Sequence, residues 1–221
     1  MSYKALPQNP NLTLFTHSLF RGLPVQASEV YPCVLEYLES AWQVLERTKQ
    51  EYNRIYAVRL ELLYPANTKA AGTEDNQVME RFKKALDYRI QHRSARQYRA
   101  GKRAHPCRAR IIWAREQHNS FNPHYHVVLL LNRDRYFRMG RYDRNADNLY
   151  ALVHAAWSSA IARQTEGVEG VIHVPDNAGY YLLSSDGYAA EPELFKRISY
   201  LCKVKTKVYG ERYHGFGVSR G

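Results

Sequence analysis

The stretch Asn122–Leu131 reads Asn-Pro-His-Tyr-His-Val-Val-Leu-Leu-Leu, so two histidines stand directly before five aliphatic residues. A short apolar run with a polar entry predicts a strand that starts at the protein surface and enters the core. Because successive side chains in a strand point to opposite faces, His124 and His126 share one face while Tyr125 points to the other. Two imidazoles on one face at the mouth of a strand are typical of a metal site.

A third ligand is predicted on the preceding strand. The segment Ala109–Glu116 is rich in strand-forming residues, and the Asn, Ser and Pro residues that follow it predict a loop. In an antiparallel hairpin that sets Glu116 opposite His124, Ala114 falls opposite His126, and Glu116 lies on the face of both imidazoles. Glu116, His124 and His126 would then hold a divalent ion, Mg²⁺ or Mn²⁺, with open positions for a phosphate oxygen.

A purely structural role for the two histidines is the alternative. The chain contains nine histidines among 221 residues, so a His-x-His pattern is weak evidence when taken alone. The position at a strand mouth, with a carboxylate expected across the hairpin, favours the metal site.

Length and composition indicate a globular protein outside the membrane. The 221 residues suffice for one continuous core, with residues 1–53 as an N-terminal arm and helix packed on a domain of residues 54–221. The longest aliphatic run, Val127–Leu131, is far too short to span a membrane, and Met1–Pro7 lacks the pattern of a secretory signal. We therefore expect a cytoplasmic protein.

The cysteines indicate neither a disulfide framework nor a zinc cluster. Cys33, Cys107 and Cys202 are odd in number and widely spaced, and no Cys-x-x-Cys pair occurs. We expect three reduced thiols.

Basic charge is concentrated in one part of the chain. The formal net charge is +11, and residues 81–110 contain eleven Lys and Arg against the single acid Asp87, a local balance of +10. A solvated helix face is the common explanation of such a run, but this one holds nearly the whole net charge beside the predicted metal strand. We expect a polyanionic partner whose binding, through neutralisation of phosphates, weakens steeply with salt. The side chains predicted to contact this polyanion are Arg89, Arg93, Arg96, Arg99, Lys102 and Arg103.

Periodicity, caps and breakers predict the other elements. They are an irregular arm (1–27), a helix capped by Ser28 (28–53), a strand (54–64), a helix ended by Gly101 (74–100), the hairpin, a polar loop (132–148), a helix (149–164), a short strand (168–174), a loop through residue 187, a helix (191–206) and a glycine-rich tail at the sheet edge (214–221).

After the first helix, this order is βαββαβ. That order predicts an α+β protein with a ferredoxin-like or RRM-like antiparallel sheet of four to five strands, flanked by helices. The first and third strands are central in this arrangement, so the histidine strand would form a rigid platform for the site.

Cations and aromatic residues alternate in the polar loop of residues 132–148. The loop contains Arg133, Arg135, Arg138, Arg141 and Arg144 together with Tyr136, Phe137 and Tyr142. Such a segment can follow a single-stranded nucleic acid and stack its bases, although an exposed loop is an equal explanation.

A tyrosine and a lysine stand three residues apart in the last predicted helix. Leu194, Ile198 and Leu201 form its apolar stripe, and Tyr200 and Lys203 share a face beside that stripe. A Tyr-x-x-Lys pair is expected by chance in a chain with eighteen tyrosines, so this pair carries weight only together with the other features.

These separated features resemble the HUH endonucleases, the rolling-circle replication initiators and relaxases. The HUH motif of that superfamily is matched by His124-Tyr125-His126, and its Tyr-x-x-Lys motif is matched by Tyr200-Leu201-Cys202-Lys203. Glu116 stands where viral members carry a glutamate before the histidines. The run of residues 123–141 and the end Phe-Gly-Val-Ser-Arg-Gly are similar to phage-derived, inovirus gene-II-like replication proteins of bacteria.

The resemblance implies a metal-dependent, sequence-specific DNA nickase and strand transferase. Tyr200 would be the nucleophile that forms a 5′-phosphotyrosine intermediate, and Lys203 would assist it. Two-tyrosine members of the superfamily carry Tyr-x-x-x-Tyr on this helix. Here the positions four residues before and after Tyr200 are Lys196 and Val204, so a single catalytic tyrosine is implied. The strand segment Leu60–Pro65 only loosely matches the first motif of the superfamily, and we assign it no catalytic role.

The implied substrate is single-stranded or cruciform origin DNA of a phage or mobile element, with a host helicase or polymerase as a further partner. Replication, transfer and transposition share this chemistry. Two other functions remain open at this point. One is a non-enzymatic nucleic-acid-binding regulator that uses the basic helix, and the other is a non-haem iron oxygenase, since two histidines and a carboxylate also form that site.

Overall fold

The chain folds as a mixed α+β protein built on antiparallel sheets. The structure, a computed structural model, describes residues 4–66, 68–70, 76–117, 122–205, 207 and 214–220. Its elements are β1 (Lys4–Leu6), β2 (Asn9–Phe15), β3 (Leu19–Phe20), β4 (Leu23–Pro24), β5 (Cys33–Val34), α1 (Leu35–Glu51), β6 (Arg54–Leu63), α2 (Val78–Arg99), β7 (Arg110–Glu116), β8 (His124–Asn132), α3 (Leu149–Ile161), β9 (Val171–His173), β10 (Gly179–Leu183), α4 (Glu191–Ser199) and β11 (Phe216–Val218). Short 3₁₀ turns span Ser184–Asp186 and Tyr200–Cys202.

The histidine strand β8 lies at the centre of the largest sheet. The strand order is β10-β6-β8-β7-β11, and β9 also pairs with β6, so the described residues form six strands of this sheet instead of the predicted four to five. The predicted loop after β9 contains the additional strand β10, which pairs antiparallel with β6. This half-exposed edge strand was missed because it opens with glycine and lacks strict alternation of apolar and polar residues.

The predicted hairpin register is confirmed. Glu116 lies opposite His124, and Ala114 lies opposite His126. On the other side of β8, Glu61 of β6 lies opposite His126. Both neighbouring strands therefore present a carboxylate beside the histidines.

The two faces of the sheet pack against different helices. Tyr125, Val127, Leu129 and Leu131 belong to a core with α2 and α3. The next residues in alternation, Val128 and Leu130, belong to a core with α1 and α4. Because β8 is buried on both faces, its aliphatic run is continuous. His126 has the same parity as Val128, so it points to the α1 and α4 side.

The N-terminal segment is more regular than predicted. Instead of an irregular arm, its described residues form a three-stranded sheet in the order β1-β2-β5 and the hairpin β3-β4. Arg21 and Gly22 connect that hairpin with positive φ angles of 51° and 81°, as a tight two-residue turn requires. Ser28 does not cap α1; its hydroxyl accepts a hydrogen bond from the Tyr31 backbone at 3.1 Å, and the helix begins at Leu35.

The other helices follow their predicted apolar stripes but differ in length. In α2, Val78, Phe82, Leu86 and Ile90 are buried, and Gly101 ends the helix with a φ of 70°; the predicted start at residue 74 lies outside the described residues. Helix α3 ends three residues before its predicted end, and α4 ends at residue 199 instead of continuing towards 206.

The tail pairs with the sheet edge as predicted, through β11 on β7. Within the described part of the chain, none of the helices combines the length and apolar character needed to cross a membrane.

Candidate metal and tyrosine site

The three predicted ligands lie together at the mouth of β8. The ligand atoms of Glu116, His124 and His126 are all within 4.8 Å of one another. Glu116 Oε2 is 3.2 Å from His126 Nε2 and 3.9 Å from His124 Nε2. Only Glu116 and His126 are fully buried, while His124 is partly exposed. The strand register brings the three side chains together, because all of them point to one face of adjacent strands.

These distances fit a small divalent cation. Adjacent ligands of an octahedral ion with metal–ligand distances of about 2.1 Å stand about 3 Å apart, close to the 3.2 Å between Glu116 and His126. One carboxylate oxygen and two imidazole nitrogens can hold a divalent ion and leave coordination positions open, while Mg²⁺ or Mn²⁺ as the ion stays a prediction. His124 Nε2, at 3.9 Å from Glu116 Oε2, stands farther away than this spacing.

Glu61 supports the site from β6. Its Oε1 atom lies 3.1 Å from His126 Nδ1, and its Oε2 atom lies 3.2 Å from His173 Nδ1. A carboxylate on Nδ1 holds the imidazole ring so that Nε2 faces Glu116, the arrangement common behind metal-binding histidines. The hydrogen bond with His126 holds the pKa of Glu61 at about 2, with smaller contributions from His173.

His126 contacts two carboxylates. Burial by itself would lower its pKa, but the hydrogen bonds to Glu116 and Glu61 outweigh burial and raise the pKa above its ordinary value. The two carboxylates favour a positive charge at this position. A proton on the His126 ring supplies that charge, and a metal ion bound at the same place would supply it as well.

Tyr200 lies directly beside the predicted ligands. Its ring centre is 5.9 Å from that of His126, with the two rings almost perpendicular. Contrary to prediction, Tyr200 and Lys203 do not lie on an α-helix: Tyr200–Cys202 is a 3₁₀ turn, and Lys203 has an extended backbone. Residues three apart eclipse one another in a 3₁₀ turn, so Lys203 still reaches Tyr200. The Lys203 ammonium nitrogen is 4.8 Å from the Tyr200 ring centre.

The N-terminal segment holds this turn in place. The backbone of Lys203 forms a β-bridge with Cys33, and the Val204 backbone donates to the carbonyl of Pro32 at 3.0 Å. Gln26 binds the turn from the same side, because its backbone donates to Ser199 Oγ at 2.8 Å. Residues far away in the sequence therefore fix where the tyrosine points.

A second cation, Arg59, also lies beside the tyrosine. Its guanidinium carbon is 5.0 Å from the Tyr200 ring centre, and its Nη2 atom is 3.4 Å from His126 Nδ1. Burial and the charge of Glu116 raise the pKa of Tyr200, while Arg59 acts in the opposite direction and Glu61 raises it further. Together these effects disfavour the phenolate.

Lys207 is a buried cation behind the same turn. It is 8% exposed, and its ammonium donates to the carbonyl oxygen of Lys203 at 2.8 Å. Burial lowers the pKa of Lys207, and the nearby charges of Cys202 and Glu116 oppose this decrease.

The predicted DNA-binding side chains lie apart from the metal ligands. Arg89, Arg93, Arg96 and Arg99 are on α2, which packs against the sheet face opposite the histidines. Arg93 and Arg96 contact Asp147, whereas Arg89 and Arg99 donate to carbonyls of their own helix. Lys102 and Arg103 are exposed beyond the end of that helix. The structure therefore separates the basic helix from the triad.

Sequence reasoning missed three residues of the site, namely Glu61, Arg59 and His173. Arg59 and Glu61 alternate with apolar residues in the sequence of this strand, and that alternation was the available signal. Their contact with His126 depends on the pairing of β6 with β8, which places a neighbour from a distant part of the sequence beside the histidine.

A protein-family model described as YagK/YfjJ C-terminal domain matches residues 15–219. The Escherichia coli (strain K12) protein described as "Uncharacterized protein YagK" is 34% identical over 198 residues, which cover 85% of this chain and 93% of the relative. The protein described as "Uncharacterized protein YfjJ" from the same strain is 28% identical over 196 residues, or 84% and 94% of the two chains. These descriptions do not mention HUH endonucleases, so that resemblance stays a prediction.

Among solved structures, the 3-hydroxy-3-methylglutaryl-coenzyme A reductase of Streptococcus pneumoniae has a TM-score of 0.29 and 12% identity. The match covers 77% of this chain and 43% of that one, and its low score carries no argument about the fold.

Proposed function

The chain belongs to the YagK/YfjJ C-terminal domain family, and for it we propose the activity of a metal-dependent, sequence-specific nickase of single-stranded DNA. The reaction proceeds through a 5′-phosphotyrosine intermediate and ends in strand transfer. Its biological role is to initiate rolling-circle replication of a phage or mobile element.

One observation carries this proposal: Tyr200 stands 5.9 Å from His126, ring centre to ring centre, beside three convergent ligands. The two come from segments far apart in the sequence, and a structural tyrosine has no need of such a neighbour. Two cations lie within about 5 Å of the ring centre, Arg59 and Lys203, and they suit a reaction in which negative charge develops on phosphate oxygens.

Glu116, His124 and His126 would hold Mg²⁺ or Mn²⁺, which when bound polarises a phosphate oxygen and orients the phosphodiester. Glu61 keeps the His126 ring in the ligating orientation. Lys203 and Arg59 hold the phosphate group next to the phenol and balance its charge.

The chemical step exchanges one phosphodiester for another. The Tyr200 oxygen forms a bond to the scissile phosphorus, and the bond from phosphorus to the 3′ oxygen breaks. The phenolic proton is given up to solvent, and the departing 3′ oxygen takes up one proton to become a hydroxyl. Attack by that hydroxyl, or by another 3′ hydroxyl, reverses the step and joins strands.

The strand order supports a ferredoxin-like arrangement for the domain. Along the chain, the four core strands are β6 (first), β7 (second), β8 (third) and β10 (fourth). In the sheet they lie in the order β10-β6-β8-β7, which is fourth, first, third, second. Helices α2 and α3 cover the same face of these strands. This places the histidine strand at the centre of the sheet, where rigid packing holds the ligands.

The test is incubation of the protein with single-stranded DNA and Mn²⁺, followed by a denaturing gel. We expect a covalent protein–DNA band that is absent with Tyr200→Phe. Tyr31→Phe is the matched control, because Tyr31 also lies near Lys203, at 6.0 Å from its ammonium nitrogen. Adduct formation by Tyr200→Phe at the wild-type level would refute the proposed nucleophile.

A non-enzymatic regulator that binds nucleic acid is the second candidate. The observation that favours it is the basic helix α2, which lies on the face away from the triad. Wild-type protein that binds single strands equally with and without Mn²⁺, and never forms an adduct, would support this candidate over the nickase.

A further inference from the structure

A cavity of about 400 Å³ lies between the C-terminal half of α2 and the loop that leads into α3. The described residues that line this cavity include four arginines and one acidic residue, Asp147. The arginines are Arg93, Arg135, Arg138 and Arg141. We call this cavity the arginine pocket. Its excess of positive charge indicates an anionic ligand.

Several polar atoms of the arginine pocket lack a hydrogen-bond partner within the described part of the chain. They are Arg93 Nη1, Arg135 Nε and Nη2, and Tyr136 Oη, all shielded from solvent. Tyr136 is 94% buried, since its exposed fraction is 6%. Buried donors without acceptors destabilise a protein, and most are paired in native structures. The hydrogen-bond donors around the arginine pocket therefore outnumber the acceptors that the described residues supply.

The first turn of α3 contributes to the same pocket. Asn148 and Leu149 line it, and α3 is a regular helix of 13 residues that starts there. The Tyr150 and Ala151 N–H groups of this turn already donate to the Met139 carbonyl and to Asn148 Oδ1, so the turn contributes the positive end of the helix dipole. That dipole adds to the charge of the arginines and favours a phosphate.

An adjoining cavity of about 620 Å³ shares Arg138, Gly140 and Arg141 with the arginine pocket. Tyr56 and Tyr142 line it, so it offers aromatic surface beside the phosphate site. Gly140 has a φ of 87°, and a Cβ atom there would come within 2.8 Å of the Asn148 side chain, so the shared wall requires glycine.

Exposed aromatic rings surround both cavities. Phe137, Tyr142 and Tyr181 are 52%, 61% and 43% exposed. Arg138 lies 5.0 Å from the ring centre of Phe137, and Arg133 lies 5.1 Å from that of Tyr181. Alternating cations and exposed rings are suited to unpaired bases, which stack on aromatic faces while arginines follow the phosphates.

The arginine pocket is remote from the triad. It lies beside the loop that follows β8, on the α2 and α3 face, while the histidines are at the start of β8 and point to the other face. Nine residues of extended strand separate the two ends by about 25 Å.

We propose that the arginine pocket binds a backbone phosphate of single-stranded DNA and that the adjoining cavity takes the neighbouring base. This anchors the substrate at a point distant from the nick. The inference rests on the proposed function for its choice of DNA as the strand.

The test measures binding without chemistry. Fluorescence anisotropy follows a labelled oligodeoxythymidylate binding to Tyr200→Phe protein, without divalent metal, over a range of salt concentrations. In this background, we expect Arg135→Gln and Arg93→Gln each to weaken binding about tenfold and to reduce the salt slope by about 0.7, the value for one lost phosphate contact on a single strand. Arg47→Gln is the matched control, because it removes one positive charge from α1 on the other sheet face.

Equal affinities and slopes for Arg135→Gln, Arg93→Gln and Arg47→Gln would overturn the proposal, with circular dichroism confirming that each variant is folded. If one pocket variant fails to fold, the other decides. Displacement of the oligonucleotide by inorganic phosphate or thymidine monophosphate, at concentrations equal to the strand phosphates, would assign the pocket to free phosphate compounds instead. The binding assay uses Tyr200→Phe protein without divalent metal, so it does not depend on nicking. A negative result in this assay is therefore distinguishable from a failure of the proposed nickase activity.

Discussion

Glu61 Oε1 lies 3.1 Å from His126 Nδ1, which places a carboxylate from β6 behind an imidazole of β8. The two residues are 65 positions apart in the sequence and are opposite one another in the strand register. This contact sets the orientation in which His126 Nε2 faces Glu116. The candidate ligands and the carboxylate of Glu61 that orients one of them can therefore be tested separately.

Removing the charge of Glu61 tests whether this carboxylate strengthens metal binding through His126. We expect Glu61→Gln to weaken Mn²⁺ binding about 10- to 100-fold, because the neutral amide no longer orients His126 or increases its basicity. Isothermal titration calorimetry with Mn²⁺ measures the effect. Glu39→Gln, which removes a carboxylate paired with Arg21 on the surface, should retain the wild-type affinity. Equal affinities of the two variants would show that Glu61 does not support the ligand.

Addition and removal of metal test the ligands themselves. Mn²⁺ at about a hundred times its dissociation constant should stabilise the fold by about 2.7 kcal/mol and raise Tm by about 5–10 °C. His124→Ala should lose this increase, and EDTA should abolish adduct formation by the wild type. Thermal melting with and without Mn²⁺ measures the Tm increase, and a denaturing gel measures adduct formation. A Tm increase that persists in His124→Ala would place the bound metal elsewhere.

The two neighbouring lysines permit a matched comparison. Lys203 lies 4.8 Å from the Tyr200 ring, whereas Lys205 lies 5.2 Å from the ring of Tyr31. We expect Lys203→Met to slow adduct formation at least about tenfold, since a cation near the reacting phosphate is lost. Lys205→Met should have little effect, and Lys203→Arg should partly restore the rate. Single-turnover gels measure the rates, and equal rates for the two Met variants would contradict a catalytic role for Lys203.

The buried thiol of Cys33 should make stability depend on alkaline pH. Burial raises the pKa of Cys33 from 9.0 to about 11, against the opposing charges of Lys207 and Lys203. The folded state therefore holds the thiol proton more tightly, and this contribution is complete below pH 9 and is lost as the pH rises towards 11. At most about 2.7 kcal/mol is involved.

Urea unfolding of wild type and Cys33→Ala between pH 7 and pH 11 measures this contribution. Alanine removes the ionisable thiol, so the stability advantage of the wild type should be constant up to about pH 9 and decrease above it. A difference that stays constant over the whole range would show that Cys33 has the same pKa in both states.

Local pattern was sufficient for much of the architecture. The apolar run after His126 predicted a buried strand, and alternation predicted that Glu116 shares a face with both histidines; the structure has the same register. The stripes of α2 and α3 were likewise visible, because a period near 3.6 residues requires only neighbours along the chain. These features depend on interactions within one hairpin or one helix.

Patterns that depend on distant partners were not visible. The edge strand β10 has a weak alternation of its own and is stabilised by pairing with β6. The last helix ends at Ser199 because the following turn is held by residues 26–33 of the N-terminal segment, a contact that no local propensity describes.

The sequence by itself determined the strand that carries the histidines, the carboxylate opposite them and the cationic character of the surface. Only the tertiary structure decided that Tyr200 faces His126, that Glu61 and Arg59 join them, and that the basic helix lies on the opposite side of the sheet. The physical reason is that side-chain alternation and helical period are set by the geometry of the local backbone. Contacts between segments depend on how whole sheet faces and helices bury their apolar surfaces against one another.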